Sequence, residues 1–374
     1  MAVRAARSSD PRPETLLDHM YSSSTSASVP KEFSAPALLK TPDPLPRDSE
    51  GALPYRLACA EALIEEMSRD SRVILFGEDI GEYGGAFGVT RGLLDLFGRD
   101  RVFNTPISES AIVGAAVGMA MTGLRPVAEI MYCDFILQAM DQIGNQAAKW
   151  TYMSGGQISV PLVLRTAIGG GRGYAGQHSQ SLESVLAHIP GLVLVAPSDA
   201  RDAKGLLKSA VRDDNPVVFF EHQLLYNTKA PVPRDEYLVP IGKAAVKREG
   251  SDVTVVAWSI MVRHALEAAA RLEPEGVSLE VIDLRTLVPL DLDTVLASVR
   301  KTGRCLVTSQ AVSQGSYTAD VASRVQERVF DHLDAPVLRL GAADGVSPTA
   351  QSLERAYLPD ADKLIAAVRR LLGA

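Results

Sequence analysis

The stretch that decides the fold is Val73-Ile-Leu-Phe-Gly-Glu-Asp-Ile80, followed by Ser110 to Gly123 and then Val127-Ala-Glu-Ile-Met131. The first run is short, apolar and ends in glycine, which suits a strand buried in a parallel sheet. Ser110 to Gly123 is rich in Ala, Gly and Met and apolar nearly all round, which predicts a helix buried on most sides. The third run is again a strand. Strand, helix, strand at this spacing is the unit of an α/β fold with a largely parallel sheet.

The pattern extends in both directions. Upstream, Leu57, Ala60, Ile64 and Met67 form the stripe of an amphipathic helix. Downstream, a helix is predicted over Phe135 to Met153. Strands follow at Val160 to Arg165, Leu192 to Ala196 and Val217 to Phe220, with a helix over Asp199 to Arg212. Residues 231–250 carry Pro231, Pro233 and Pro240 and read as a linker. The alternation then restarts: strands Asp252 to Ala257, Leu279 to Ile282, Cys305 to Thr308 and Val337 to Leu340, and helices Val262 to Leu272, Leu292 to Lys301 and one from Asp362. The expected division is a disordered tail over 1–50, a first domain over 51–230 and a second over 251–374. The tail expectation rests on a Pro-, Ser- and Ala-rich composition without a period.

The 374 residues are too many for one ordinary core. A net charge of −7 with no long basic run disfavours nucleic acid and anionic membrane as partners. No apolar stretch is long enough for a membrane span. Cys59, Cys133 and Cys305 are far apart and unpaired in spacing, which argues for a reducing compartment and against a structural zinc. The N-terminus has no apolar core of a secretory signal; a transit peptide stays open, with Asp10 and Glu14 unusual for one. No HExxH, GxSxG or phosphate-loop motif is present.

Four places carry candidate chemistry. Asn104-Thr-Pro-Ile-Ser-Glu109 precedes the apolar helix, where Ser108 or Glu109 can simply cap it; alternatively, dry surroundings raise the Glu109 carboxyl's pKa and let it share a proton with a ligand nitrogen. His178 lies in a polar loop after Gly169-Gly-Gly-Arg-Gly173, a setting that favours chemistry over core packing. Glu78 and Asp79 follow a strand's C-terminal end, where open α/β sheets place ligands, although a solvated loop accounts for them too. Phe135, Gln138, Asp141 and Asn145 lie at i, i+3, i+6 and i+10 on the helix predicted there, and Phe135 can offer a flat face to a heteroaromatic ring or simply fill the core.

Read in order, these segments resemble one family. Gly77-Glu-Asp-Ile, Tyr83-Gly-Gly-Ala-Phe, Thr105-Pro-Ile-Ser-Glu109, Gly123-Leu-Arg-Pro126, Tyr152-Met-Ser-Gly-Gly156, Gln177-His-Ser-Gln180, Arg212-Asp-Asp-Asn-Pro216 and Val281-Ile-Asp-Leu-Arg285 look like the β subunits of pyruvate, branched-chain 2-oxoacid and acetoin dehydrogenases. The resemblance covers residues 55–374. It implies two doubly wound α/β domains, one binding the thiamine pyrimidine and one of the transketolase C-terminal type. It implies an α2β2 heterotetramer with thiamine diphosphate at each α/β interface, the α subunit supplying the Mg²⁺ and diphosphate site. The string Ala343-Asp-Gly345 lacks the context of that diphosphate motif.

By the same resemblance Glu109 contacts N1′ of the aminopyrimidine and activates the cofactor. Phe135 lies beside the pyrimidine, with Gln138 and Glu78 near it. His178 assists acyl transfer to the lipoyl group of a dihydrolipoyl acyltransferase core. Leu162, Ala210, Val211, Asp213 and Asn215 match the oxygen ligands of a structural K⁺, though a helix C-terminus with a polar turn explains them as well. Tyr152-Met-Ser-Gly-Gly156 and Phe220-Glu-His-Gln-Leu-Leu-Tyr-Asn227 look more like the pyruvate type. The implied setting is a bacterial cytoplasm, or a mitochondrion or plastid in a eukaryote. Asn104, Trp258, Gln310 and Thr349 depart from the common pattern. They leave room for a specialised paralogue or for an assembly subunit without catalysis.

Overall fold

A computed structural model describes residues 10–23, 28–34, 36 and 38–373. Fourteen strands are named here in chain order. They are β1 (Ala52–Pro54), β2 (Val73–Gly77), β3 (Val102–Asn104), β4 (Arg125–Tyr132), β5 (Val163–Ile168), β6 (Val193–Val195), β7 (Val217–His222), β8 (Lys229–Pro231), β9 (Ala245–Arg248), β10 (Val253–Ala257), β11 (Leu279–Asp283), β12 (Thr286–Val288), β13 (Cys305–Val312) and β14 (Leu338–Ala342).

The first sheet has seven strands in the order β12-β6-β7-β5-β4-β2-β3, parallel except for β12. The second has five, β14-β13-β10-β11-β9, parallel except for β9. The apolar runs explain this: β2, β5 and β10 are buried at every position, as strands covered by helices on both faces must be. The α/β expectation holds: two mostly parallel sheets, with a small antiparallel pair β1-β8 beside them, share one continuous hydrophobic core.

Four expectations need correction. First, β12 comes from beyond the linker yet adds an antiparallel edge to the first sheet, beside β6. A three-residue strand carries no period long enough to read in advance. Second, the helix predicted over Phe135 to Met153 is broken into a 3₁₀ segment Cys133–Ala139, a π turn Gln142–Ala147 and a short helix Trp150–Met153. The residue phase changes at each break: Phe135 is half-buried, Gln138 is exposed, and Asn145 donates to Asp141 at 2.8 Å. Third, the expected disordered tail is docked where it is described. Ser22 pairs with Asn215, Phe33 lies under the Arg72 guanidinium, Leu39 N–H bonds to Leu96 O at 2.9 Å, and Arg47 grips Glu61. Irregular chain can dock without periodicity. Residues 1–9 and 24–27 lie outside the described residues.

The helix Glu109–Met121 also differs from expectation. Ile112, Val113, Ala116, Val117 and Ala120 are buried, but Ala111, Ala115, Gly118 and Met121 are exposed. One small, apolar face of this helix is covered by nothing among the described residues. No helix among the described residues is long and apolar enough to cross a membrane.

Candidate active site at the carboxyl edge of the first sheet

Strands β2 and β3 end side by side. At Gly77, φ is 157° and a Cβ would meet the Glu129 carbonyl oxygen at 2.6 Å, so only glycine lets β2 pass β4 this closely. Glu78 follows at once. Asn104 closes β3, and its side chain takes Gly81 N–H at 2.7 Å and donates to Glu82 at 3.0 Å. An aspartate here could not make the second bond, which gives one departure from the family pattern a physical reason.

Glu109 is the first residue of its helix. Ser108 sits at the N-cap without a side-chain bond, so the capping alternative fails for it. Glu109 is half-buried, and no hydrogen bond or ion pair among the described residues engages its carboxylate. Its charge is felt nearby. Burial and then the charges of Glu109, Asp79 and Glu129 raise the Glu78 carboxyl above its usual range. Ser110 Oγ donates to Gln138 O, which ties the helix start to the 3₁₀ segment bearing Phe135. Gln138 itself is exposed, as are Ile107 and Leu137 at 82% and 51%.

His178 completes this rim. Its ring lies edge-on to Phe135 at 5.3 Å and to Tyr132 at 4.8 Å between centroids. Tyr132 packs in turn on Phe87 at 5.4 Å. The loop is tethered by Gln180, whose Nε2 donates to Asp134 at 2.8 Å and whose carbonyl accepts from Cys133 Sγ and Gly169 N. Glu78 thus feels the Glu109 charge, Phe135 touches His178, and the Ser110–Gln138 bond links the two pairs along one rim.

Sequence reasoning missed the buried layer beneath. Arg165 on β5 is fully buried and bonds to Glu129 on β4 at 2.6 Å and to Glu221 on β7 at 2.7 and 2.9 Å. Burial works against its charge, but Glu221 and Glu129 outweigh that and raise its pKa well above the ordinary value. Ionisable residues inside three apolar strand runs were the available signal. Also missed were Gln310 and Glu354, which hold the glycine-rich loop from the second domain. Gln310 Oε1 takes Gly170 N–H at 2.8 Å, and the Glu354 oxygens take Gly171 and Gly173 N–H at 2.7 and 2.9 Å.

The oxygens expected to bind K⁺ are engaged within the chain. Arg125 donates to the carbonyls of Val211 and Asp213 at 2.7 and 2.5 Å. Leu162 O accepts from Val217 N, Ala210 O from Asp213 N, and Asn215 Oδ1 from Ser22 N at 2.7 Å. Arg125 thus supplies the donors for two of these five oxygens. Among the described residues no cluster of three or more His, Cys, Asp or Glu could hold a metal.

Comparison with known proteins places these features in context. Residues 51–229 match the family model "Transketolase, pyrimidine binding domain", and residues 242–364 match "Transketolase, C-terminal domain". The chain is 46% identical to the pyruvate dehydrogenase E1 component subunit beta of Rhizobium meliloti, over 87% of this chain and 71% of that one. It is 47% identical to the 2-oxoisovalerate dehydrogenase subunit beta of Bacillus subtilis, over 83% and 95%. It is 46% identical to the acetoin:2,6-dichlorophenolindophenol oxidoreductase subunit beta of the same organism, over 84% and 96%. A solved split-gene transketolase, titled an inactive beta4 tetramer, superposes with TM-score 0.69 at 25% identity, over 86% of this chain and 98% of that one.

Proposed function

The chain belongs to the E1 β subunits of thiamine-dependent 2-oxoacid dehydrogenases, and from that premise we propose that Glu109 activates thiamine diphosphate at an interface closed by an α subunit. The observation that carries this reading is the Glu109 carboxylate itself: internally uncommitted, at a helix start, beside a carboxyl of raised pKa. The rim fits the pyrimidine half of the cofactor. Glu109 offers an acceptor for a ring nitrogen, and half-buried Phe135 offers a flat face. When bound, thiamine diphosphate supplies the nucleophilic carbon and the electron sink for decarboxylation.

The chain's own residues do the rest. Glu109 holds and shares a proton at the pyrimidine nitrogen. A partner covering the exposed face of Ala111, Ala115, Gly118 and Met121 would dry the rim, and a drier carboxyl shares its proton more readily. Glu78 adds a second proton-holding group. His178, gripped by Phe135 and Tyr132, serves transfer of the acyl unit to a lipoyl-bearing acyltransferase. Pyruvate is the proposed substrate. Its support is the likeness of residues 152–156 and 220–227 to the pyruvate type. The departures at Asn104, Trp258 and Gln310 do not speak for an inert paralogue, because each has an internal partner.

The test is to co-express the chain with its α subunit and measure thiamine-dependent reduction of an artificial electron acceptor. Pyruvate should give the highest kcat/KM, ahead of branched 2-oxoacids and acetoin. Preference for a branched 2-oxoacid or acetoin would move the substrate assignment. Inactivity of a well-formed complex with every 2-oxoacid would sink the proposal.

A further inference from the structure

The loop that carries His178 has two sides. One faces Phe135 and Tyr132. The other faces the second domain, which holds it by main chain. Gly169 N–H closes the loop on Gln180 O at 3.0 Å. Inside that closure Gln310, on β13, accepts Gly170 N–H, and Glu354, in the helix Gln351–Tyr357, accepts Gly171 and Gly173 N–H. Both side chains are nearly sealed, at 8% and 3% exposure.

The clamp is stereochemically specific. Gly169, Gly171 and Gly173 have φ of 87°, 111° and 71°, a left-handed course that turns successive N–H groups toward the second domain. A Cβ at Gly173 would meet Thr349 O at 2.9 Å, and one at Gly176 would strike Val346. The segment Gly345 to Thr349 therefore backs the loop. The side-chain oxygen of Gln310 has no spare capacity. His222 Nδ1 accepts Leu224 N–H at 3.1 Å, so its proton sits on Nε2 and is donated to Gln310 Oε1 at 2.8 Å. That oxygen thus receives His222 and Gly170 together. Each buried donor left without its acceptor would be costly, so the loop backbone has one favoured position.

We propose that Gln310 and Glu354 are positioning residues: from the second domain they fix the Gly169–Gly173 main chain and so hold the His178 ring against Phe135. This rests on the reading of His178 as the acyl-transfer residue. The atoms that grip the loop are side-chain oxygens of the second domain, while the ring they aim belongs to the first.

The experiment uses the assembled α/β complex and two independent readouts. Hydrogen exchange reports the loop directly. In Glu354→Ala and in Gln310→Ala, amides of residues 169–180 should exchange on the order of 10-fold faster or more, with strand β2 unchanged. Gln310→Glu, which keeps an acceptor oxygen, should restore protection. Kinetics report the purpose. Glu354→Ala should lower kcat for acyl transfer on the order of 10- to 100-fold, as a small misplacement of a catalytic group does. KM for the 2-oxoacid and decarboxylation with an artificial acceptor should stay within about 3-fold, as expected when uniform substrate binding is untouched. Combined with His178→Ala, it should add nothing. Unchanged loop exchange, or losses that multiply in the double variant, would overturn the clamp. A silent His178→Ala would instead overturn the reading on which its purpose rests, whatever the exchange data show.

Discussion

Glu109 and Glu354 are two carboxylates whose surroundings are opposite. Glu354 is 3% exposed and spends both oxygens on N–H groups of the glycine-rich loop. Glu109 is half-buried and spends neither on any described residue. The difference separates two uses of the same chemistry. A carboxylate saturated from within builds geometry, because removing it strands buried donors. A carboxylate left open at a helix start is a receptor, because its acceptors are still available to something outside the chain.

Substitution at Glu109 should break the comparison most severely if it is wrong. In the α/β complex, Glu109→Gln should lower turnover by ~10²–10⁴-fold, the usual cost of removing a positioned proton-transfer group. Its effect on stability should stay within about 0.5 kcal/mol, as for a surface site. A large loss of thermal stability would make Glu109 a scaffold residue like Glu354.

Arg165→Met tests the scaffold side. It leaves Glu129 and Glu221 buried and facing each other, and should cost about 3–5 kcal/mol in denaturant unfolding. Glu354→Ala comes next. It should lose roughly 10- to 100-fold in acyl transfer through misplacement, and in contrast to Glu109→Gln it should also lower the denaturation midpoint.

The fourth prediction is a pH effect beside the clamp. Burial holds His222 down to about 4, against an ordinary 6.5, with His264 and Arg172 adding to the depression and the Gln310 bond opposing it. The unfolded chain binds a proton below about 6.5 while native His222 does not until about 4. Stability contributed here therefore falls as pH drops through that window. Gln310→Glu gives the imidazolium a partner and should flatten the fall, read as denaturant midpoint against pH. The smallest expected effect is Ser22→Pro, which removes the N–H that Asn215 Oδ1 accepts. It should cost about 1 kcal/mol and leave turnover unchanged.

The same contrast explains what was legible in the sequence. Long apolar runs such as Val73–Gly77 and Val253–Ala257 announced both sheets, because their pattern is local. Glu109 and His178 stood out because each lies in a short polar motif beside an apolar element. Glu354 was invisible: its partners are main-chain N–H groups some 180 residues away, and no local pattern encodes an acceptor for them. Gln310 appeared only as an oddity, and its structural meaning needs His222 and Gly170 in view. The break in the helix after Cys133 escaped notice because Phe135 to Met153 contains good helix formers, while the 3₁₀ and π segments answer to tertiary contacts such as Ser110 on Gln138.

The most direct trial of the whole account is the rate at which the C2 proton of bound thiamine diphosphate exchanges with D₂O in the assembled α/β complex. Wild type and Glu109→Gln should be compared at saturating cofactor. The Glu109→Gln complex should exchange at least ~10²-fold more slowly while keeping its subunit composition. Equal exchange rates in the two complexes would contradict it, because the open carboxylate would then have no part in readying the coenzyme.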